Sequence, residues 1–299
     1  MIEFKELTLK DRESFESIFS IYNPVTSEYT FTNFFMWRQY YNYRFAILDG
    51  FLCVYAIPSG EEPYLMIPVG EGSEAAFKSS VLVLRETFDE MGLKQVFKKV
   101  PERELEKLLS ALGSDCTIIN DRDNSDYVYS RSDLVELPGR KYHGKRNHLN
   151  RFMKEYTYEY IPMTSKHIND CKEIMENWCR ERNCDCHRGE YCERYANLEV
   201  LDNFDELGCR GALIKVDGEY RAFTVGEKLN SDTAVIHIEK ADFKTNGLYA
   251  FINREFCAQE WSGADFINRE QDLGQEGIRR AKLSYNPSFL SQKFTVYKN

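Results

Sequence analysis

The densest collection of residues able to do chemistry lies near the end of the chain. Asp265-Phe266-Ile267-Asn268-Arg269-Glu270-Gln271-Asp272-Leu273-Gly274 runs an apolar strand into a polar series. Ile278-Arg279-Arg280-Ala281-Lys282-Leu283-Ser284-Tyr285-Asn286-Pro287 follows. Charged and amide groups at a strand's exit can converge on a ligand, and a helix opening after Gly274 offers unpaired N–H donors to an anion. The same residues also suit an internal salt-bridge net between strand and helix.

Three further clusters stand out. His237, Glu239 and Lys240 lead to Asp242 and Asn246-Gly247, and alternation along a strand puts His237 and Glu239 on one face with Lys240 on the other. A carboxylate there suits proton abstraction from an amine. Its plainer alternative is a cross-strand ion pair, and for His237 a hydrogen-bonded, half-buried ring. Arg140, Lys141, His143, Lys145, Arg146, His148, Arg151 and Lys154 form a basic run without an acid. That strip suits the phosphates of a nucleotide, a lipid head group or tRNA, with a solvated helix as the alternative. Cys179, Cys184, Cys186, His187 and Cys192 are too irregularly spaced, without a CxxC pair, for a zinc site, so no metal is expected. GxxxxGK[ST], strand-borne GxGxxG, HExxH and GxSxG are all absent, which removes the sequence case for an NTPase, dinucleotide enzyme, metalloprotease or esterase.

The elements that must position these residues are legible from periodicity. Thr8 caps a helix with Phe15, Ile18, Phe19 and Tyr22 on one face, and a core-covering aromatic helix runs near Phe31 to Gln39. Strands at Arg44 to Leu48, Phe51 to Ile57 and Tyr64 to Val69 follow, the first two joined by the Asp49-Gly50 turn. A helix through Phe77 to Met91, a strand near Lys94 to Val100, a helix after Pro101 and extended chain from Tyr127 to Leu137 complete the half. The second half repeats that order. It has a strand at Thr157 to Met163, a helix through Trp178, another within Tyr191 to Phe204, and strands at Gly211 to Val216, Tyr220 to Leu229 and Thr233 to Ala241. A helix at Leu248 to Trp261, a strand at Asp265 to Arg269, a helix at Gln275 to Leu283 and a strand at Phe289 to Tyr297 end it. An α+β unit of about 140 residues, present twice, is the expectation, with domains at 1–138 and 139–299.

Composition bounds the function classes. The chain of 299 residues carries 39 basic and 48 acidic groups, a net charge of −9 that argues against a DNA-binding surface. A 42% hydrophobic content supports a real core. Nine cysteines without a secretory leader read as reduced thiols, and no apolar run approaches the roughly 18–20 residues of a membrane span. A cytoplasmic protein with no integral membrane segment is expected.

The element order resembles the GNAT (N-acetyltransferase) superfamily in tandem, each domain a mixed central sheet flanked by helices. Asn268 to Gly274, Ala281 to Pro287 and Lys145-Arg146-Asn147 look like an uncharacterised bacterial family related to the C-terminal domain of phosphatidylglycerol lysyltransferase. The resemblance implies transfer of an acyl or aminoacyl group, from acyl-CoA or aminoacyl-tRNA, to an amine or hydroxyl. It implies Glu239 as base and Tyr285 as acid, with Lys145, Arg146, Asn147, Asn268, Arg269, Asp272 and Lys282 on the substrate. In the superfamily a [QR]xxGx[GA] loop holds the CoA pyrophosphate. The matching residues here are Asn246 and Gly247, but Tyr249 replaces the second small residue, a departure that fits a different donor. The alternative is a non-catalytic ligand-binding or regulatory protein on the same fold.

Overall fold

Turn chemistry sets the first hairpins. Asp49 and Gly50 both take positive φ, 47° and 87°, as a two-residue hairpin turn needs, and they join Arg44–Leu48 to Phe51–Ala56 in antiparallel register. Asp217 and Gly218 do the same between Arg210–Val216 and Glu219–Lys228. The hydroxyls of Thr30 and Ser73 accept from the amides of Asn33 and Ala76, capping the helices Phe31–Tyr41 and Glu74–Glu90. A computed structural model describes residues 2–182 and 193–299.

Among these residues the strands form two mixed sheets. The first, of eight strands, runs Lys5–Glu6, Arg44–Leu48, Phe51–Ala56, Tyr64–Leu65, Val96–Pro101, Lys293–Lys298, Cys116–Asn120, with Val69–Gly70 added beside Phe51–Ala56. The second, of seven, runs Phe289–Ser291, Asp126–Ser130, Phe266–Asn268, Thr233–Ala241, Glu219–Lys228, Arg210–Val216, Tyr158–Pro162. In each sheet a parallel pairing joins the meander to the strand that follows it: Leu65↔Phe97 in the first, Thr233↔Phe266 to Val235↔Asn268 in the second.

The chain divides into two compact units, one of residues 1–126, 271–274 and 291–299, the other of 127–270 and 275–290. This differs from the expected seam at 138/139, and backbone pairing is the reason. Asp126–Ser130 zips onto Phe266–Asn268 through Ser130↔Phe266, Tyr129↔Ile267 and Val128↔Asn268. Lys293–Lys298 runs between Val96–Pro101 and Cys116–Asn120 and bonds to both. The extended chain expected from Tyr127 to Leu137 stops at Ser130, whose hydroxyl accepts from the Asp133 amide and starts the helix Arg131–Glu136. The single strand expected at Phe289 to Tyr297 is two strands in two sheets, and Cys116–Asn120 is a strand that periodicity did not reveal.

In the first unit Phe15 meets Phe19, Phe31, Phe34 and Phe45 edge-on at 4.9–5.8 Å, so the aromatic stretch is core as expected. The unit also buries three ionisable groups together: Lys293 Nζ lies 2.6 Å from Glu28 Oε1 and 2.6 Å from Asp126 Oδ1. In the second unit Tyr127, Tyr129, Phe256, Trp261 and Ile267 pack in one cluster, and Tyr142, Phe152, Leu248 and Phe251 in another.

Candidate functional site

The second sheet opens where its parallel pair ends. Pairing between Thr233–Ala241 and Phe266–Asn268 stops at Val235↔Asn268, so Ile236 to Ala241 has no described strand partner on that side. Asn268 Oδ1 accepts from the Glu270 amide at 2.8 Å, and Glu270 takes φ 56°, which turns the chain away from its neighbour. Side chains leaving the two strands meet across this opening.

Arg269 Nη2 donates to Glu239 Oε1 at 2.9 Å, while Asn253 Nδ2, from the helix Leu248–Gln259, donates to Glu239 Oε2 at 3.1 Å. Both oxygens of Glu239 are therefore engaged. Arg269 stands 5.0 Å from the Tyr285 ring centroid and 5.8 Å from that of Tyr129. Its Nη1 is buried with no hydrogen-bond partner among the described residues. Lys145 Nζ, from the basic helix His143–Glu155, sits 3.8 Å over the Tyr285 ring. Behind these groups, Lys282 Nζ donates to the Arg269 carbonyl, Tyr129 Oη to the Lys282 carbonyl at 2.8 Å, and Tyr142 Oη to the Tyr285 carbonyl at 2.9 Å.

The electrostatics follow from burial and the two opposed charges. Burial lowers the Lys145 ammonium, Arg269 lowers it further, Glu239 offsets part, and the net value falls to about 8. Burial pushes the Tyr285 phenol up to about 12 against the pull of Arg269, so it stays protonated at neutral pH. Arg269 remains a cation: burial disfavours its charge, and Glu239 together with the Tyr129 and Tyr285 phenols more than restores it. Beside the cluster, His237 is fully enclosed between Glu227 and Glu270, each 2.8 Å from one ring nitrogen. Burial opposes its charge, yet the two carboxylates raise it to about 10, so both nitrogens donate.

Several residues singled out in the sequence do other things. Arg146 Nη1 donates to the carbonyls of Leu137 and Gly139, fixing the entry to the basic helix. Asn147 is exposed, its amide 3.4 Å from His143 Nδ1. Asp272 is buried in the first unit, bonded to Arg122 at 3.2 Å and to the Gly274 amide at 2.9 Å. Asn246 is exposed. A Cβ on Gly247, whose φ is 86°, would lie 2.4 Å from the His148 carbonyl oxygen, so this glycine lets the helix Leu248–Gln259 approach the basic helix. Tyr249 Oη accepts from Trp178 Nε1 at 2.8 Å. Of the cysteine and histidine cluster only Cys179, buried in the helix Ile168–Arg182, lies within the described residues. Asn253, Tyr129 and Glu227 escaped the sequence reading. Asn253 had a signal in retrospect, an amide directly after Tyr249-Ala250-Phe251-Ile252 on a helix that buries nearly everything.

Residues 19–297 match the family described as phosphatidylglycerol lysyltransferase, C-terminal. The chain belongs to that family. A conserved protein of unknown function from Bacteroides thetaiotaomicron is 37% identical, with a TM-score of 0.92 over 100% of both chains. The structure of L-PGS from Bacillus licheniformis has a TM-score of 0.69 at 16% identity, over 100% of this chain and 94% of that one. A tandem GNAT protein from the clavulanic acid biosynthesis pathway has a TM-score of 0.53 at 10% identity, over 99% of this chain and 98% of that one. The fold is thus the mixed α+β GNAT-like one that the element order implied. An uncharacterized Mycoplasmoides gallisepticum protein is 25% identical over 187 residues, 61% of this chain and 58% of that relative's length. Among the described residues no helix is long and apolar enough to cross a membrane.

Proposed function

We propose that the chain transfers an aminoacyl group from an ester donor of the aminoacyl-tRNA kind to a hydroxyl or amine acceptor, at the Lys145, Glu239, Arg269 and Tyr285 cluster. The observation that carries this reading is the gathering of an amine, a guanidinium and a phenol at the opening between two parting strands. A family named for a lysyltransferase has the same reaction class in its name. The acceptor's O–H or N–H attacks the donor carbonyl carbon, and the bond from that carbon to the donor's ribose oxygen breaks. Lys145, lowered to about 8, accepts the acceptor's proton as a neutral amine. Arg269 Nη1 supports the oxyanion, and Tyr285 protonates the leaving oxygen before recovering its proton from Lys145. No proton is gained or lost overall.

Glu239, read from the sequence as the base, is given another role here. Its two oxygens are committed to Arg269 and Asn253, so it holds the guanidinium in place. An ester donor is favoured over a CoA thioester because Gly247 is packed on the His148 carbonyl and Tyr249 replaces the small residue of a pyrophosphate cradle. The exposed basic residues Arg140, His148 and Lys154 suit the donor's phosphates.

The test is direct. Purified protein is incubated with a mixed aminoacyl-tRNA pool, or with acyl-CoA, together with glycerol-type and amine acceptors, and products are read by mass spectrometry. Loss of aminoacyl ester with appearance of an acceptor adduct is expected, reduced about 10²-fold in Arg269→Ala and Tyr285→Phe. Turnover of acyl-CoA alone would reject the donor assignment, and full activity in both variants would reject the site.

A further inference from the structure

The first unit has its own parting strands, and a lysine stands at the opening. Its parallel contact is Leu65↔Phe97, and Lys99 follows Phe97 by two residues with φ 57°. Glu270 follows the last parallel pair of the second unit, at Asn268, by the same two residues with φ 56°. On the other edge of Val96–Pro101, Phe294 pairs with Val100 and Val296 with Phe97, so Lys98 and Lys99 together face only Thr295. Such a bulge re-aims a side chain out of strand alternation.

Lys99 is 7% exposed as a whole residue, and the described neighbours of its ammonium are aromatic ring faces. It lies 4.1 Å from the Tyr41 ring centroid and 5.8 Å from that of Tyr64. Aromatic faces offset part of the desolvation of a cation but supply no oxygen acceptor for its three donors. Burial works against its charge, but the surrounding phenols and Glu28 hold its pKa well above the ordinary lysine range.

Lys99 lines a cavity of about 320 Å³ together with Tyr41, Tyr64, Lys98, Asn120 and Tyr297. That volume is at the lower end of small-molecule sites. The acids on the cavity wall are already engaged. Glu61 accepts from the Tyr40 hydroxyl, and both oxygens of Asp121 accept from the Asn124 amide at 3.0 and 2.9 Å. Lys98 leans to Glu62 at 3.6 Å. Lys99 is the cation left to receive a ligand.

We propose that the first unit carries a second binding site, for a small molecule bearing a carboxylate or phosphate, with the anion on Lys99 and the body of the ligand between the tyrosines. The site is separate from the transfer cluster and stands or falls independently of it.

The experiment titrates the full chain with inorganic phosphate, acetate, glycerol 3-phosphate and monomeric dihexanoyl phosphatidylglycerol by calorimetry. A Tyr41→Trp variant reports by fluorescence at the cavity wall. Saturable binding with a Kd of about 1–10 mM for at least one anion is expected, weakened about tenfold or more in Lys99→Met. Lys78→Met, which removes the same charge from a surface pair with Glu74, is expected to bind as the wild type does. Binding of glycerol 3-phosphate alone assigns a soluble ligand, and binding of the short-chain lipid alone assigns a head group; both support the site. Should Lys99→Met fail to fold, a saturable signal from Tyr41→Trp decides in favour. No saturable binding of any probe, or equal weakening in Lys78→Met and Lys99→Met, overturns the proposal.

Discussion

Lys145 and His237 lie in the same unit and are shifted in opposite directions. Lys145, brought down to about 8, is mostly charged at pH 7 and mostly neutral at pH 9. If it accepts the acceptor's proton, the transfer rate rises through pH 8 and then levels. Lys145→Met should lower that rate about 10²-fold and flatten the profile. A rate that falls through pH 8 would mean that the cation, not the amine, is the working form. His237 is held at about 10, above the usual 6.5 of an unfolded histidine. The stability it contributes is therefore full below pH 6.5 and lost as pH rises through 10. Urea midpoints of the wild type and His237→Gln should differ most near pH 6 and converge near pH 10. The effect of Lys145, which has the opposite slope, is common to both proteins and cancels.

At the scale of elements, Gly247 is where two helices come closest. With φ 86° and the His148 carbonyl 2.4 Å from any added Cβ, Gly247→Ala combines backbone strain with a main-chain clash. A loss of about 2–4 kcal/mol is expected from chemical denaturation. A loss below about 1 kcal/mol would show that the helices give way easily. The elements that bear the cluster were legible because each signal is local: alternation through Glu239, polar residues after Ile267, and a basic run carrying Lys145. Lys145, Glu239, Arg269, Lys282 and Tyr285 accordingly fall together in one unit. Asp272 shares a polar run with Arg269 in sequence but not its unit, because the chain leaves the second unit after Glu270. The short strand Cys116–Asn120 was invisible for a related reason. All but its first residue are exposed, so no burial pattern marks it, and it is defined only by pairing with residues nearly 180 positions later.

At the scale of the whole molecule, the first unit depends on the last residues described. Lys293 is the cation set between two carboxyl groups that are sealed from water. Lys293→Met would leave Glu28 and Asp126 facing each other, and removing one partner of a buried ion pair costs about 3–5 kcal/mol. The variant is expected to lower the thermal midpoint of the protein, with Glu28→Gln/Asp126→Asn in the same background recovering part of the loss. No recovery would assign the effect to packing. The strand that carries Lys293 also has a temporal consequence. On a ribosome, the sheet begun by Arg44–Leu48 waits for some 250 further residues before Lys293–Lys298 emerges to close it. The half that is synthesised first is thus completed last, and until then Val96–Pro101 presents an open edge that a nascent chain must keep from its neighbours.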